Sequence, residues 1–410
     1  MIRASALYIS VIVSLMIVIV CGTMLMAGLI YRMQDKQQER HTRLDNNVAS
    51  GMQILLGEQE WAADTVMSVG LFDPTDEGIS DSVRLEKQAW GLYDIGRVSS
   101  WIGGDTLRRS FMMAPLPEDT LMVLYVSDED RPVSISGKSL IRGTAYLPKS
   151  GIRSAYVDGA GYKDKTLVHG LVWSSGRDMR TLNEGALLRI KELMASSLDT
   201  SQNISLSKQM DLSGQVIDQL TIVSADSLII VNEYTKLDKA ILIAPFVRIG
   251  PRFRGNVQVF ARDSASIGDS VKLEYPSAVV VLQQDTAGFQ ARLTIGKHSE
   301  IEGALLMLDD GYIGKNGLSG RRTLMPVLSI SDSCRVDGEV WSKGYVKIGR
   351  SVVVNGSVST IRLMASHKSI LYENYLIDVL LNARARSRYY LSPALLNAKR
   401  TKRKVLCWLD

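Results

Sequence analysis

Cysteine is scarce in this chain: three residues, Cys21, Cys334 and Cys407, lie far apart with no CxxC pair. That spacing excludes a cysteine-rich zinc cluster and a disulfide framework. Histidine is equally thin, with His41, His169, His298 and His367 widely dispersed. The one adjacent glycine pair, Gly103-Gly104, lacks the lysine and helix context of a phosphate loop. No dinucleotide, zinc-protease or serine-hydrolase motif occurs either. Excess charge is missing too, since a net charge of +5 is small for 410 residues. No cofactor, metal or nucleic-acid partner is therefore expected, no small-molecule ligand is identified, and no catalytic residue is assigned.

What the sequence does hold is ordinary folding material. Apolar residues make up 46% and charged residues 22%, which excludes wholesale disorder and leaves room for two or three domains. Basic residues gather late: Arg384, Arg386, Arg388, Lys399, Arg400, Lys402, Arg403 and Lys404 have no acid among them. Such a tail can meet nucleic acid, anionic lipid or an acidic partner; the plainer reading, a solvated face near a chain end, is adopted.

The longest feature is an apolar run, ASALYISVIVSLMIVIVCGTMLMAGLIY from Ala4 to Tyr31, without one charge. About 20 apolar residues at 1.5 Å each suffice to cross a bilayer, so this run reads as a single transmembrane helix. It exceeds the apolar region of a cleavable signal peptide. Beyond it, Leu44, Val48, Met52 and Leu55 recur at spacings of three or four, predicting an amphipathic extension of the same helix. Arg3 precedes the span, whereas Arg32, Lys36, Arg40 and Arg43 follow it. Counted alone, those charges place the body in the cytoplasm.

The body reads as β-rich. Short apolar runs from Trp61 to Val133, such as Val66–Phe72 and Leu121–Val126, alternate with turn residues such as the DPTDEG stretch at 73–78. Trp90, Tyr93 and Trp101 are expected in its core. An aliphatic or aromatic residue is then followed six positions on by another, with glycine two further: Ile135, Ile141, Gly143; Val247, Phe253, Gly255; Ile295, Ile301, Gly303; Ile330, Val336, Gly338; Ile348, Val354, Gly356. Ile267 and Leu273 keep the spacing without the glycine. Stacked coils with inward apolar columns and glycine corners, a β-solenoid, fit this pattern; a β-sandwich with glycine turns is the alternative. TLNEGALLRIKELMASSLD at 181–199 places Leu187, Ile190, Met194 and Leu198 on one helical face, with Asn183 or Thr181 as cap. LYENYLIDVLLN, after Ile361, reads as a further helix or strand pair.

Candidates for chemistry are few. His298 beside Lys297 and Glu300 stands on the repeat, which resembles that of hexapeptide acyltransferases with a histidine base. Asp263, Asp269 and Glu274 are the acids that might cluster as in β-helix lyases, though solvated turns account for them. Tyr372 with Tyr375, and Tyr389 with Tyr390, suit either stacking on sugar or bases or core packing.

Two resemblances follow. The glycine-cornered repeats over 237–361 look like bactofilins, which implies a scaffold assembling end to end without catalysis. The start, RASALYISVIVSLMIVIV, with SGMQILL at 50–56, looks like pseudopilins and minor pilins. That implies a helix packed in a filament and a body outside the cytoplasm. No glycine cleavage site precedes a Phe or Met start, and no glutamate lies near position five of a mature helix.

The expectation is a mainly β protein with one N-terminal transmembrane helix, its amphipathic extension, a β-rich domain and an irregular β-solenoid. The expected layout is an anchor over 1–31, a helical stalk over 32–60 and a β-rich domain over 61–132. The solenoid starts over 133–236 with the inserted helix and repeats over 237–361, before an apolar segment and basic tail over 362–410. The expected role is a non-catalytic structural subunit of a pilus-like or type II secretion-like apparatus in the inner membrane. Its body lies outside the cytoplasm, and its partners are the bilayer and other assembly proteins. The alternatives are a bactofilin-like scaffold facing the cytoplasm and a tethered carbohydrate-active or acyl-transfer enzyme.

Overall fold

A computed structural model describes residues 2–57, 64–71, 82–157, 159–195, 203–205, 209–283, 289–309, 324–367, 370–397 and 402–409. Trp61, Phe72, the DPTDEG stretch, the expected helix end at 196–199, and Lys399-Arg400 lie outside these residues. The chain divides into two units, one of residues 1–89, 94–113 and 405–410, the other of 90–93 and 114–404.

The first unit is built on helix α1, Ile2–Leu56. From Leu7 to Tyr31 its apolar side chains are exposed, and its most apolar window has a mean hydropathy of 2.7. This half is a candidate membrane anchor. Further on, Leu44, Asn47, Val48, Gly51 and Leu55 are buried, so one helix serves two environments. Met52, on the expected stripe, is only half-buried.

That stripe belongs to a core built with the antiparallel strands β1 (Thr65–Gly70), β2 (Ser82–Trp90), β3 (Tyr93–Ile102) and β4 (Asp105–Pro115), followed in the sheet by Arg403–Trp408. Val83, Leu85, Val98, Phe111 and Met113 share the core with Val48 and Leu55. A Cβ built on Gly51 would lie 2.7 Å from Val98 Cγ1 and 3.0 Å from Leu85 Cδ2. The missing side chain is what lets the helix approach the sheet. Asn47 donates to Ser100 Oγ at 3.4 Å, and Lys87 pairs with Asp94 at 3.2 Å, both side chains buried. Trp101 is half-exposed rather than a core residue, because it lies on the outward side of β3.

The second unit is a parallel β-solenoid with three faces. An ordinary coil adds 17 or 18 residues: Leu228 pairs with Phe246 and Phe246 with Ser264, as Val327 pairs with Tyr345 and Tyr345 with Arg362. Ser264 pairs with Arg292 and Arg292 with Val327, so those two coils carry the extra chain. Long strands such as Arg335–Ile348 and Val353–His367 bend around corners to serve several faces. The hydrogen-bonded network thus closes like a barrel while the chain winds as a coil.

Register sets the core. On one face, Leu273, Ile301, Val336, Val354, Leu381 and Ile141 stack in an inward column. On another, Val231, Ile249, Ile267, Ile295, Ile330 and Ile348 do the same. All are buried in one continuous core. The outside of the first of these faces is polar. It carries ion pairs between neighbouring coils, Arg254–Glu274 and Lys272–Glu300 among them.

The remaining face is buried on both sides, and in its middle coils it is apolar on both. Ala278–Leu282 and Ala304–Leu308 are buried at every position, unlike the alternating Arg292–Ile295. Continuous runs of this kind belong to strands covered on both faces. Helix α2 (Glu184–Ala195), with Ala186, Ile190 and Met194 buried, belongs to this unit, as does the C-terminal segment 383–397. Asn183, not Thr181, caps α2: its Oδ1 accepts from Ala186 N at 2.9 Å. The buried face runs through Ala186 rather than Leu187.

The coils do not stack in chain order. Val358, Ser359 and Thr360 pair with Leu124, Tyr125 and Val126, and Leu381 pairs with Ile141. The early segment 122–174 therefore continues the solenoid beyond its last C-terminal coil. Met122–Val126, expected in the β-rich domain over 61–132, belongs to the solenoid. The expected C-terminal piece from 362 supplies Tyr375–Ile377 and Leu380–Asn382 as strands of this solenoid, not a helix.

Candidate functional site

Two features of this chain are candidates for a functional site: the apolar half of α1, and a polar groove on the solenoid beneath the C-terminal segment. The first follows from composition. Between Ala4 and Tyr31 no side chain can form an ion pair, and Ser14 and Thr23 return their hydroxyls to backbone carbonyls of Val11 and Val20, at 3.0 and 2.8 Å. In hydrocarbon that removes the cost of an unpaired hydroxyl. Cys21 is exposed on the same stretch.

The groove, of about 400 Å³, is lined by Tyr275, Glu302, Arg335, Asp337, Arg386 and Tyr389, among others. Asp337 accepts from Arg335 Nε at 2.8 Å and from Asn355 Nδ2 at 2.6 Å, which fixes its carboxylate. Under the groove lies Glu339, pointing out of its strand but buried by the 383–397 segment. Tyr390 donates to it at 3.3 Å, Ser392 donates to it as well, and Arg386 Nη1 lies 3.6 Å from its other oxygen. Burial first, and then the Glu339 charge, push the Tyr390 hydroxyl pKa well above that of free tyrosine. Tyr93 is likewise raised, chiefly by burial. Tyr275 receives the Leu391 N–H at 2.9 Å and donates to the Leu391 carbonyl at 3.1 Å, pinning the segment. The sequence pattern does not single out Glu339, and it places Arg386 only in a solvated basic tail. The available signal was a lone glutamate in the otherwise uncharged row Ala278, Ala304, Glu339, Ser357 of adjacent coils.

The residues singled out for chemistry are not brought together. His298 takes a positive-φ corner position, as do Arg252, Ser270, Ser333 and Ser351 in other coils, and is exposed there. Glu274 is held by Arg254, while Asp269 accepts the Lys297 N–H at 2.7 Å to tie one corner to the next. Burial raises the Asp263 carboxyl, and Arg262 partly offsets it. Among the described residues no three His, Cys, Asp or Glu side chains form a metal cluster. Tyr372 and Tyr375 pack together, with ring centroids 5.2 Å apart, against Val157, Ala365 and Ile377. Tyr389 is 80% exposed whereas Tyr390 is buried, so that pair divides between surface and core. Within the basic tail Arg386 is buried rather than solvated.

No family model and no curated protein matches this chain. Among solved structures it is similar to the competence-associated pilin ComZ from Thermus thermophilus. The identity is 12%, over 83% of this chain and 87% of that one, with a TM-score of 0.25. A superposition that loose does not establish a common fold. The bactofilin resemblance has no counterpart in these comparisons.

Proposed function

We propose that this protein is a membrane-anchored, non-catalytic subunit of a pilus-like or type II secretion-like assembly, with its body outside the cytoplasm. One observation carries this reading. A single uninterrupted helix leaves its first half, Leu7–Tyr31, wholly exposed and uncharged while its second half is buried in the core of an antiparallel sheet. A simple tether needs only a span. A helix rigidly continued into a folded domain also fixes that domain relative to neighbouring helices, which suits lateral packing in an assembly.

Two measurements test it. A phosphatase fused after Asp410 should be active; an inactive fusion, with a cytoplasmic reporter active at the same point, overturns the placement. Thiol cross-linking through Cys21 in native membranes should give products larger than one chain that vanish in Cys21→Ser. Exclusively single-chain product overturns assembly through the helix.

A further inference from the structure

The groove beside the 383–397 segment is unused by the proposed assembly role. We propose that it binds a neutral oligosaccharide. Its polar lining is balanced: Glu302 and Asp337 supply carboxylates, Arg335 and Arg386 supply guanidiniums. An anion entering would meet two carboxylates, and a cation two guanidiniums, so neither is favoured by the local field. A hydroxyl both donates and accepts, and can bridge a carboxylate and a guanidinium standing side by side. Arg335 and Asp337, 2.8 Å apart, present such a pair.

The walls add the second requirement. Tyr389 offers its ring to solvent, 80% exposed, and Tyr275 with Tyr390 forms a tilted aromatic pair, centroids 5.6 Å apart. An amphipathic ring with a polar tip suits a ligand having one apolar face and a hydroxylated rim, which describes a pyranose. A volume of about 400 Å³ falls among small-ligand sites.

Arg386 is held in place at the groove: its side chain is only 5% exposed, Nη2 donates to the Thr120 carbonyl at 3.1 Å, and Nη1 lies 3.6 Å from the Glu339 carboxylate beneath. A guanidinium fixed in this way keeps its place in the lining without a ligand to order it.

The test uses the full chain in a detergent without a sugar headgroup, titrated by calorimetry with cellohexaose, chitohexaose and maltohexaose. At least one should bind saturably. Tyr389→Ala and Asp337→Asn should each weaken binding about tenfold or more, the loss of one good contact of about 1.4 kcal/mol. Tyr372→Ala, outside the groove, should leave it unchanged, and inorganic phosphate and spermidine should not compete. The proposal is overturned if no hexasaccharide binds at millimolar concentration. It is equally overturned if Tyr389→Ala leaves binding intact, or if phosphate or spermidine displaces the sugar. Tyr389 is exposed, so its replacement tests the site without unfolding the chain.

Discussion

The carbonyl oxygen of Gly303 stands where a side chain at position 338 would begin: a Cβ built on Gly338 would lie 1.8 Å from it. The same relation recurs between Gly338 and Gly356, also at 1.8 Å, and both glycines have positive φ, 154° and 159°. These corners stack backbone directly on backbone.

Gly338→Ala should therefore destabilise the solenoid by at least about 3 kcal/mol, combining backbone strain with displacement of a coil. Gly214→Ala provides the control, with φ of 76° and nothing within 4 Å. It should cost only about 1–2 kcal/mol, the penalty of the left-handed conformation. Urea unfolding midpoints measure both.

Lys87 and Asp94 form a buried pair in the first unit. Replacing either alone takes the opposite charge away from a buried group, so Asp94→Asn or Lys87→Met should cost about 3–5 kcal/mol. Combining Lys87→Met with Asp94→Leu should recover most of that loss. A double-mutant cycle in chemical denaturation reads the difference.

In the loop of residues 159–169, Tyr162 and Leu167 pack against the solenoid core. The Thr166 N–H, and then His169, hold the Asp164 carboxyl below its usual range. A carboxylate with a depressed folded-state pKa stabilises fully above its unfolded value, near pH 4, and loses that contribution as pH falls through the folded value. Proteolysis of this loop should therefore accelerate below about pH 4, and Asp164→Asn should flatten the profile.

A charge in the middle of the exposed run tests the anchor. Val13→Arg with Ile17→Arg should add about 5–7 kcal/mol to insertion. The protein should move from the carbonate-resistant membrane fraction to the soluble one. Thermal unfolding of the folded units should be unchanged.

How much of this was legible depended on the range of the interaction involved. The long apolar half of α1 and the stripe Leu44, Val48, Leu55 are local patterns, and they read directly from the sequence. The spacing of Ile295, Ile301 and Gly303 also carried local information, because each coil repeats one geometry. The coil order did not read out, since pairing Thr360 with Val126 is set by which apolar end meets which, not by neighbouring residues. Glu339 was opaque for the same reason: its partners Arg386, Tyr390 and Ser392 lie some fifty residues away, on a segment that looked like a solvated tail. Trp101 misled because an aromatic strand residue says nothing about which side faces water.

The splice of Leu124 and Ile141 onto the last C-terminal coil also sets a schedule for biosynthesis. Residues 122–174 leave the ribosome early, yet the strands they dock on, at 358–360 and 375–382, come about 240 residues later. At about 5–20 residues per second that is a wait on the order of 10–50 s. During it Val126, Ile135 and Ile141 have no coil beneath them. The first-made part of the solenoid can thus be seated only once the last-made coil is available.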